Sequence, residues 1–314
     1  MLFFYPKTCL QQTMSTTNKR SNAMTVFVTG ATGYIGHAVA EGLSERGHTV
    51  VGLARSDASA ERLRRRGYRV QRGDLTDRDA LQAAARQADA VIHQAADGED
   101  MVATDTAAVH AMLDALRDSD RSLIYTSGVW VLGHTGRDAA DEDAPTDAIP
   151  LVAWRPALER DVLAAGGTVI RPAIVYGRGG GIPAMLVDEG RERGAVRYVG
   201  DGTQHWPVVH VDDLADLYVR ALDAPGGTLL HAASGASHPM RAIAEAASHA
   251  AGVPGRVEAW PLDTAREALG SFADALALDQ RVSGDRAKEM LGWRPEGPSI
   301  IEEIQHGSYV HQHA

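Results

Sequence analysis

Short apolar runs and amphipathic stretches alternate through the first half of the chain. Val26-Phe27-Val28 is a compact, mostly β-branched run of the kind that fills a central strand covered on both faces. Thr49–Leu53, Arg69–Gln71, Ala90–Ala96 and Ser122–Thr126 read as further strands, separated by helical stretches at His37–Arg46, Ala58–Arg66, Arg78–Gln87 and Thr104–Leu116. Strands and helices alternating at this length predict an α/β fold built on a doubly wound parallel sheet.

The first strand runs into Gly30, Gly33 and Gly36, spaced by three, and a helix follows. In a strand-turn-helix unit the first glycine permits a tight turn, the second lets backbone approach a pyrophosphate, and the third lets the helix lie against its strand. The helix N-terminus then offers free N–H groups and a positive dipole end to phosphates. The turn, with Thr32, Tyr34 and Ile35 between and beside its glycines, is therefore a candidate dinucleotide site of Rossmann type. The second strand ends at Ala54-Arg55-Ser56. A carboxylate at this position would accept from a ribose 2′-hydroxyl and repel a 2′-phosphate, whereas an arginine attracts the phosphate. Arg55 thus predicts NADP(H), with NAD(H) the weaker ligand.

Composition narrows the setting. Of 314 residues, 44% are hydrophobic and 23% charged, ordinary values for a globular protein, and a formal net charge of −10 disfavours nucleic acid and anionic membrane as partners. No apolar run approaches the roughly 18 residues of a membrane span. A single cysteine, Cys9, excludes an internal disulfide and fits a reducing, cytoplasmic setting. Residues 1–23 are expected to be a tag or disordered extension, because Ser21-Asn22-Ala23 before Met24 reads as a cloning scar.

The order of motifs resembles the extended short-chain dehydrogenase/reductase family, which includes NAD(P)-dependent epimerases and dehydratases. Carrying the resemblance are TGATGYIG at 29–36, Gly73-Asp74-Leu75, VIHQAA at 91–96, YTSG at 125–128, RPAIVYG at 171–177, HVDDLADLYVRAL at 210–222 and LGWRP at 291–295. It implies that Asp74, Leu75, Ala95, Ala96, Arg155 and Pro172 join the glycine turn in holding the cofactor, and that Ser127 bonds the reacting oxygen. It also implies a Tyr-x-x-x-Lys pair, and here the chain departs from the pattern. No tyrosine is followed four residues later by lysine, and the only lysine after Met24 is Lys288. Alignment on Glu159 puts Leu151 at the tyrosine, Arg155 at the lysine, and Asp105 near the family's asparagine. Arg155 keeps its charge but cannot act as a base. Pro156 suits a first helical turn, so that helix is expected to begin near Arg155.

Tyr176 and His134 are substitute proton donors, each with the alternative of a purely structural role. His93 is read as a packed, hydrogen-bonded core histidine. The resemblance divides the chain into a cofactor domain of residues 24–177 plus about 206–223, and a substrate lobe of about 178–205 and 224–314. Trp154, Gln204, His205 and Trp206 are expected against the substrate. His210, Asp212 and Asp213 look metal-like only in composition; Asp212 is expected to cap the next helix, and no metal is predicted. The lobe shows no evident cationic cluster for a nucleotide diphosphate. The functional expectation is an NADP(H)-dependent oxidoreductase acting on a small carbonyl or alcohol metabolite. A non-redox epimerase, dehydratase or cyclase and a non-catalytic NADP(H)-binding regulator are the alternatives. A homodimer is an expectation from the resemblance alone.

Overall fold

The computed structural model describes residues 23–96 and 100–310; apart from Ala23, the expected N-terminal extension with Cys9 lies outside the described residues. The first half runs β1 (Thr25–Thr29), α1 (Tyr34–Glu45), β2 (Thr49–Ala54), α2 (Asp57–Arg65), β3 (Arg69–Arg72), α3 (Arg78–Gln87), β4 (Ala90–His93), α4 (Met101–Leu116) and β5 (Ser122–Thr126). Then come α5 (Arg155–Ala164), β6 (Thr168–Pro172), β7 (Ile174–Tyr176), α6 (Gly181–Arg193), β8 (Val196–Val199), β9 (His205–His210), α7 (Val211–Arg220) and β10 (Leu229–Ala232). The chain closes with β11 (Ser237–Pro239), α8 (Met240–Ala250), β12 (Val257–Trp260), α9 (Leu262–Leu269), α10 (Phe272–Leu276), α11 (Asp285–Leu291) and α12 (Ile300–His306).

Seven parallel strands form the central sheet in the order β10-β6-β5-β4-β1-β2-β3. Alternation along the strands divides their side chains between two cores. Val26 and Val28 face one core with Val50, Ile92, Ile124 and the α7 residues Leu214, Leu217 and Tyr218. Phe27 faces the other with Val91, Leu123, Val169 and residues of α3, α4 and α5. A separate core, including Leu186, Tyr198, Trp206 and Ile243, holds the second lobe together around the small β11-β9-β7 and β12-β8 sheets.

Two expectations need correction. β10 pairs with β6 in the central sheet, so residues 229–232 belong to the cofactor domain rather than to the lobe. β9, expected within the cofactor domain, pairs with β7 and β11 in the small sheet, where Trp206 and Val208 join the lobe core. The expected start of α5 at Arg155 is observed, preceded by a short 3-10 turn at Pro150–Val152.

A buried polar cluster clamps α5 to the sheet edge. Arg171 on β6 donates through Nε to Glu159 Oε1 at 2.9 Å and through Nη2 to Oε2 at 2.5 Å, and lies 3.3 Å from His231 Nε2 on β10. Burial, with the Arg171 charge adding to it, lowers the His231 pKa to about 3. The unfolded chain therefore binds a proton that the native state refuses, so between the ordinary histidine range and about pH 3 stability falls as pH falls. The loss attributable to His231 reaches about 1.4 kcal/mol per pH unit. Urea unfolding at about pH 7 and about pH 5 should show a steeper decline for the unaltered chain than for His231→Gln. Equal declines would remove His231 as the acid-sensitive group.

Candidate active site

The site is built at the carboxyl ends of the central strands, at the crevice between β1 and β4 where the strand order reverses. Gly30 takes a positive φ of 75° and packs so tightly on the end of β4 that a Cβ there would sit 2.9 Å from the Ala95 backbone nitrogen. A Cβ at Gly36 would fall 2.1 Å from the Gly30 carbonyl oxygen. The first and third glycines are thus required by the turn itself. α1 opens at Tyr34 with Gly33 as its cap, no side chain satisfies its first N–H groups, and its first turn carries no acid. That leaves an anion cradle of backbone donors.

Around this cradle lies a cavity of about 670 Å³ lined by Gly30, Thr32, Gly33, Tyr34, Ile35, Gly36, Arg55, Asp74, Leu75, Ala95 and Ala96, together with Leu53, Ser56, Ser59, Arg62, Gly73, Thr76, Gln94 and Thr104. Arg55 and Arg62 share the end of the cavity formed by β2 and α2 with the Ser56–Ser59 capping box. Asp74 faces the same space, but its Oδ1 accepts from the Thr76 nitrogen at 2.8 Å and from Thr76 Oγ1 at 2.6 Å, bonds that hold its pKa below the usual carboxylate range. Arg62 escaped the sequence reading because a lone arginine on an exposed helix carries no motif. Its signal was position: α2 starts directly after the strand end that carries Arg55.

Tyr34 and Ile35 also line a second cavity of about 280 Å³. Its walls include Val129, Trp130, Val152, Ile174 and Ile182, and its polar members include Thr126, Ser127 and Arg155; Pro172 lies here too. Ser127 is 8% exposed and its Oγ has no hydrogen-bond partner. Arg155 Nη1 donates to the Thr126 carbonyl at 2.8 Å, while its buried Nε has no partner. Beneath Arg155, Asp105 collects three donors: His93 Nε2 at 3.0 Å, the Tyr125 hydroxyl at 2.8 Å and Trp154 Nε1 at 2.9 Å. Burial opposes its charge, but the His93 bond and the other two donors outweigh it and lower its pKa. His93 is a core histidine, 1% exposed, held between Asp105 and the Thr29 hydroxyl.

Several residues expected in the site are elsewhere. Tyr176 donates its phenol to the Pro298 carbonyl at 2.8 Å, and burial raises its pKa, so it does not supply a proton to either cavity. His134 is exposed, its Nδ1 accepting from the Asp279 nitrogen at 3.2 Å. Trp154 is occupied by Asp105 and, like Leu151, is outside the cavity lining. Gln204 donates to the Val199 carbonyl at 2.6 Å, and Trp206 Nε1 donates to the Leu276 carbonyl at 3.2 Å. His205 Nδ1 lies 2.8 Å from Arg281 Nη2. These three stitch the lobe together instead of facing the cavity. At α7 the cap is His210, whose Nδ1 accepts from the Asp212 nitrogen, while Asp212 pairs with Arg178.

Fold and cavities together define a doubly wound scaffold with a cavity at the crevice where dinucleotides bind such sheets. A family model described as the NAD dependent epimerase/dehydratase family matches residues 26–230, and the chain belongs to that family. An uncharacterized Schizosaccharomyces pombe protein, C2A9.02, is 30% identical over 91% of this chain and 100% of its own length. The 3-diazoavenalumate denitrifying reductase of a Streptomyces species is 29% identical over 88% of this chain and 97% of its own. A solved Thermus thermophilus UDP-glucose 4-epimerase in complex with NAD superposes with a TM-score of 0.76 at 22% identity, covering 92% of this chain and 100% of that one, a likeness of fold. No helix among the described residues is long and apolar enough to cross a membrane.

Proposed function

We propose that this protein is an NADP(H)-dependent reductase of a small, largely apolar compound. The observation that carries this reading is the second cavity, an apolar pocket joined to the dinucleotide cavity through Tyr34 and Ile35 and holding an unpartnered hydroxyl and a guanidinium. A regulator that merely reports cofactor binding has no use for such a pocket. The residues present fit a dinucleotide: a glycine cradle that a Cβ would fill, uncapped helix N–H groups, and orphaned polar atoms where the nicotinamide end would lie.

When bound, the cofactor would supply hydride at its nicotinamide ring. The chain's own work is to hold the pyrophosphate on the α1 N-terminus, to attract a 2′-phosphate with Arg55 and Arg62, and to meet the acceptor oxygen with Ser127 Oγ and the Arg155 charge. Among the described residues that line the cavity, Arg55 and Arg62 face one carboxylate, Asp74, which favours the phosphorylated cofactor. A sugar-nucleotide substrate is disfavoured because Arg155 is the only cationic residue lining the second cavity among the described residues. Arg191 and Arg197 in the lobe are committed to Asp188 and Glu189. The activity of the reductase relative supports the redox reading.

Arg55→Asp tests the cofactor assignment. It is expected to weaken NADPH binding by roughly tenfold to a hundredfold, the equivalent of losing one charge-assisted contact, and to leave NADH binding nearly unchanged. An unchanged ratio of the two affinities would defeat the assignment.

A further inference from the structure

Resting on the reading of the second cavity as the place where the acceptor meets the nicotinamide, we propose that this pocket stabilises its substrate as a delocalised oxyanion, and that the substrate is a conjugated carbonyl compound of the enone type. The argument is an inventory of the polar groups that line the pocket. The Tyr34 hydroxyl donates to the Gly177 carbonyl at 2.8 Å, and burial raises its pKa. Thr126 Oγ1 is bonded to the Tyr218 hydroxyl at 2.6 Å. Ser127 Oγ, Arg155 and the Trp130 indole N–H, a donor that does not ionise, remain, and no carboxylate among the described residues forms an ion pair with that guanidinium. The groups packed behind it are Asp105, already holding three donors, and the phenols of Tyr125 and Tyr218, both pushed up by burial, the latter to about 12. The pocket therefore combines a permanent positive charge with no side chain that gives up a proton near neutral pH.

That combination suits one kind of hydride acceptor. An isolated ketone that takes hydride at its carbonyl carbon becomes an alkoxide, whose concentrated charge calls for a proton donor in contact. A conjugated enone that takes hydride at its β-carbon forms the new C–H bond there. Its C=C pair shifts to join the α- and carbonyl carbons, and the carbonyl π pair moves to oxygen. The resulting enolate spreads its charge and needs electrostatic stabilisation more than immediate protonation, which Arg155 and Ser127 Oγ provide. Water then delivers a proton to the α-carbon, the C=O re-forms, and the hydroxide left behind takes a proton from solvent. The enone gains two electrons, which the cofactor, when bound, would supply with the hydride. The apolar walls, with Val129, Trp130, Val152, Ile174 and Ile182, accept a hydrocarbon skeleton without a charged substituent.

The probe is 4-nitrophenol, whose phenolate is a stable, coloured stand-in for an enolate, added to the full chain saturated with NADP⁺. NADP⁺ binding is measured first, so its failure counts against the cofactor reading and is seen separately. The bound nitrophenol is expected to ionise at least about one pH unit below the free compound, as for an anion placed near a guanidinium. Arg155→Met should abolish that shift and Arg155→Lys should keep part of it. With NADPH in deuterated water, cyclohexenone should be reduced with deuterium at its α-carbon, and cyclohexanone should react far more slowly. Absence of nitrophenol binding, binding of the neutral phenol, a shift unchanged in Arg155→Met, or equal turnover of the saturated ketone would each overturn the proposal.

Discussion

A Gly36→Val variant is expected to lose dinucleotide affinity by about tenfold to a hundredfold, the equivalent of about 1–3 kcal/mol of overpacking strain concentrated on the turn. The first added carbon alone would lie 2.1 Å from the Gly30 carbonyl oxygen, closer than any real contact. Since α1 packs on the Gly30–Ala31 turn through this glycine, the strain is relieved only if the helix moves away from the turn, and the N–H cradle moves with it. Circular dichroism should report retained secondary structure, and a nucleotide titration should report the lost affinity. Undiminished affinity would mean that the turn does not hold the phosphates.

The second large effect is on stability. Glu159→Ala is expected to cost about 3–5 kcal/mol in urea unfolding, because it leaves the Arg171 guanidinium buried, 4% exposed, without its charge partner. Removing both charges as Glu159→Ala with Arg171→Met should recover much of the loss, since two apolar groups leave no orphaned ion. A double variant no better than the single one would show that Arg171 is needed for itself. The effect has a functional side: Glu159 lies one turn after Arg155 on α5, so the same pair that holds the helix fixes the origin of the guanidinium in the pocket.

How much could be read from the sequence follows the range of the interactions involved. The glycine turn is legible because its geometry is local: a backbone that needs Gly30 and Gly36 announces itself within a dozen residues, and the strand ends at Arg55, Asp74 and Ala95 are brought around it by the sheet order. Those residues all line one cavity. The substrate side was not legible, because the partners that decide it are distant in sequence. Nothing near Trp206 reveals that the Leu276 carbonyl takes its indole N–H, and nothing near Tyr176 reveals the Pro298 carbonyl. Long-range satisfaction of buried polar groups withdrew these side chains from chemistry. The apolar wall that does face the pocket, from Val129 and Trp130 to Ile174 and Ile182, looks in sequence like ordinary core. Arg155 was visible through the alignment on Glu159, and the helix start that Pro156 marks is where α5 begins. The position of β10 was missed because it enters the central sheet after a long excursion through the lobe, beyond the reach of strand-and-helix alternation.

The most direct measurement is a calorimetric titration of the chain with NADPH and with NADH. Saturable binding of one equivalent of dinucleotide, with NADPH tighter by about tenfold or more, is the predicted result, one tenfold step being about 1.4 kcal/mol at the Arg55 and Arg62 end. Binding of neither nucleotide, or tighter binding of NADH, would contradict the account.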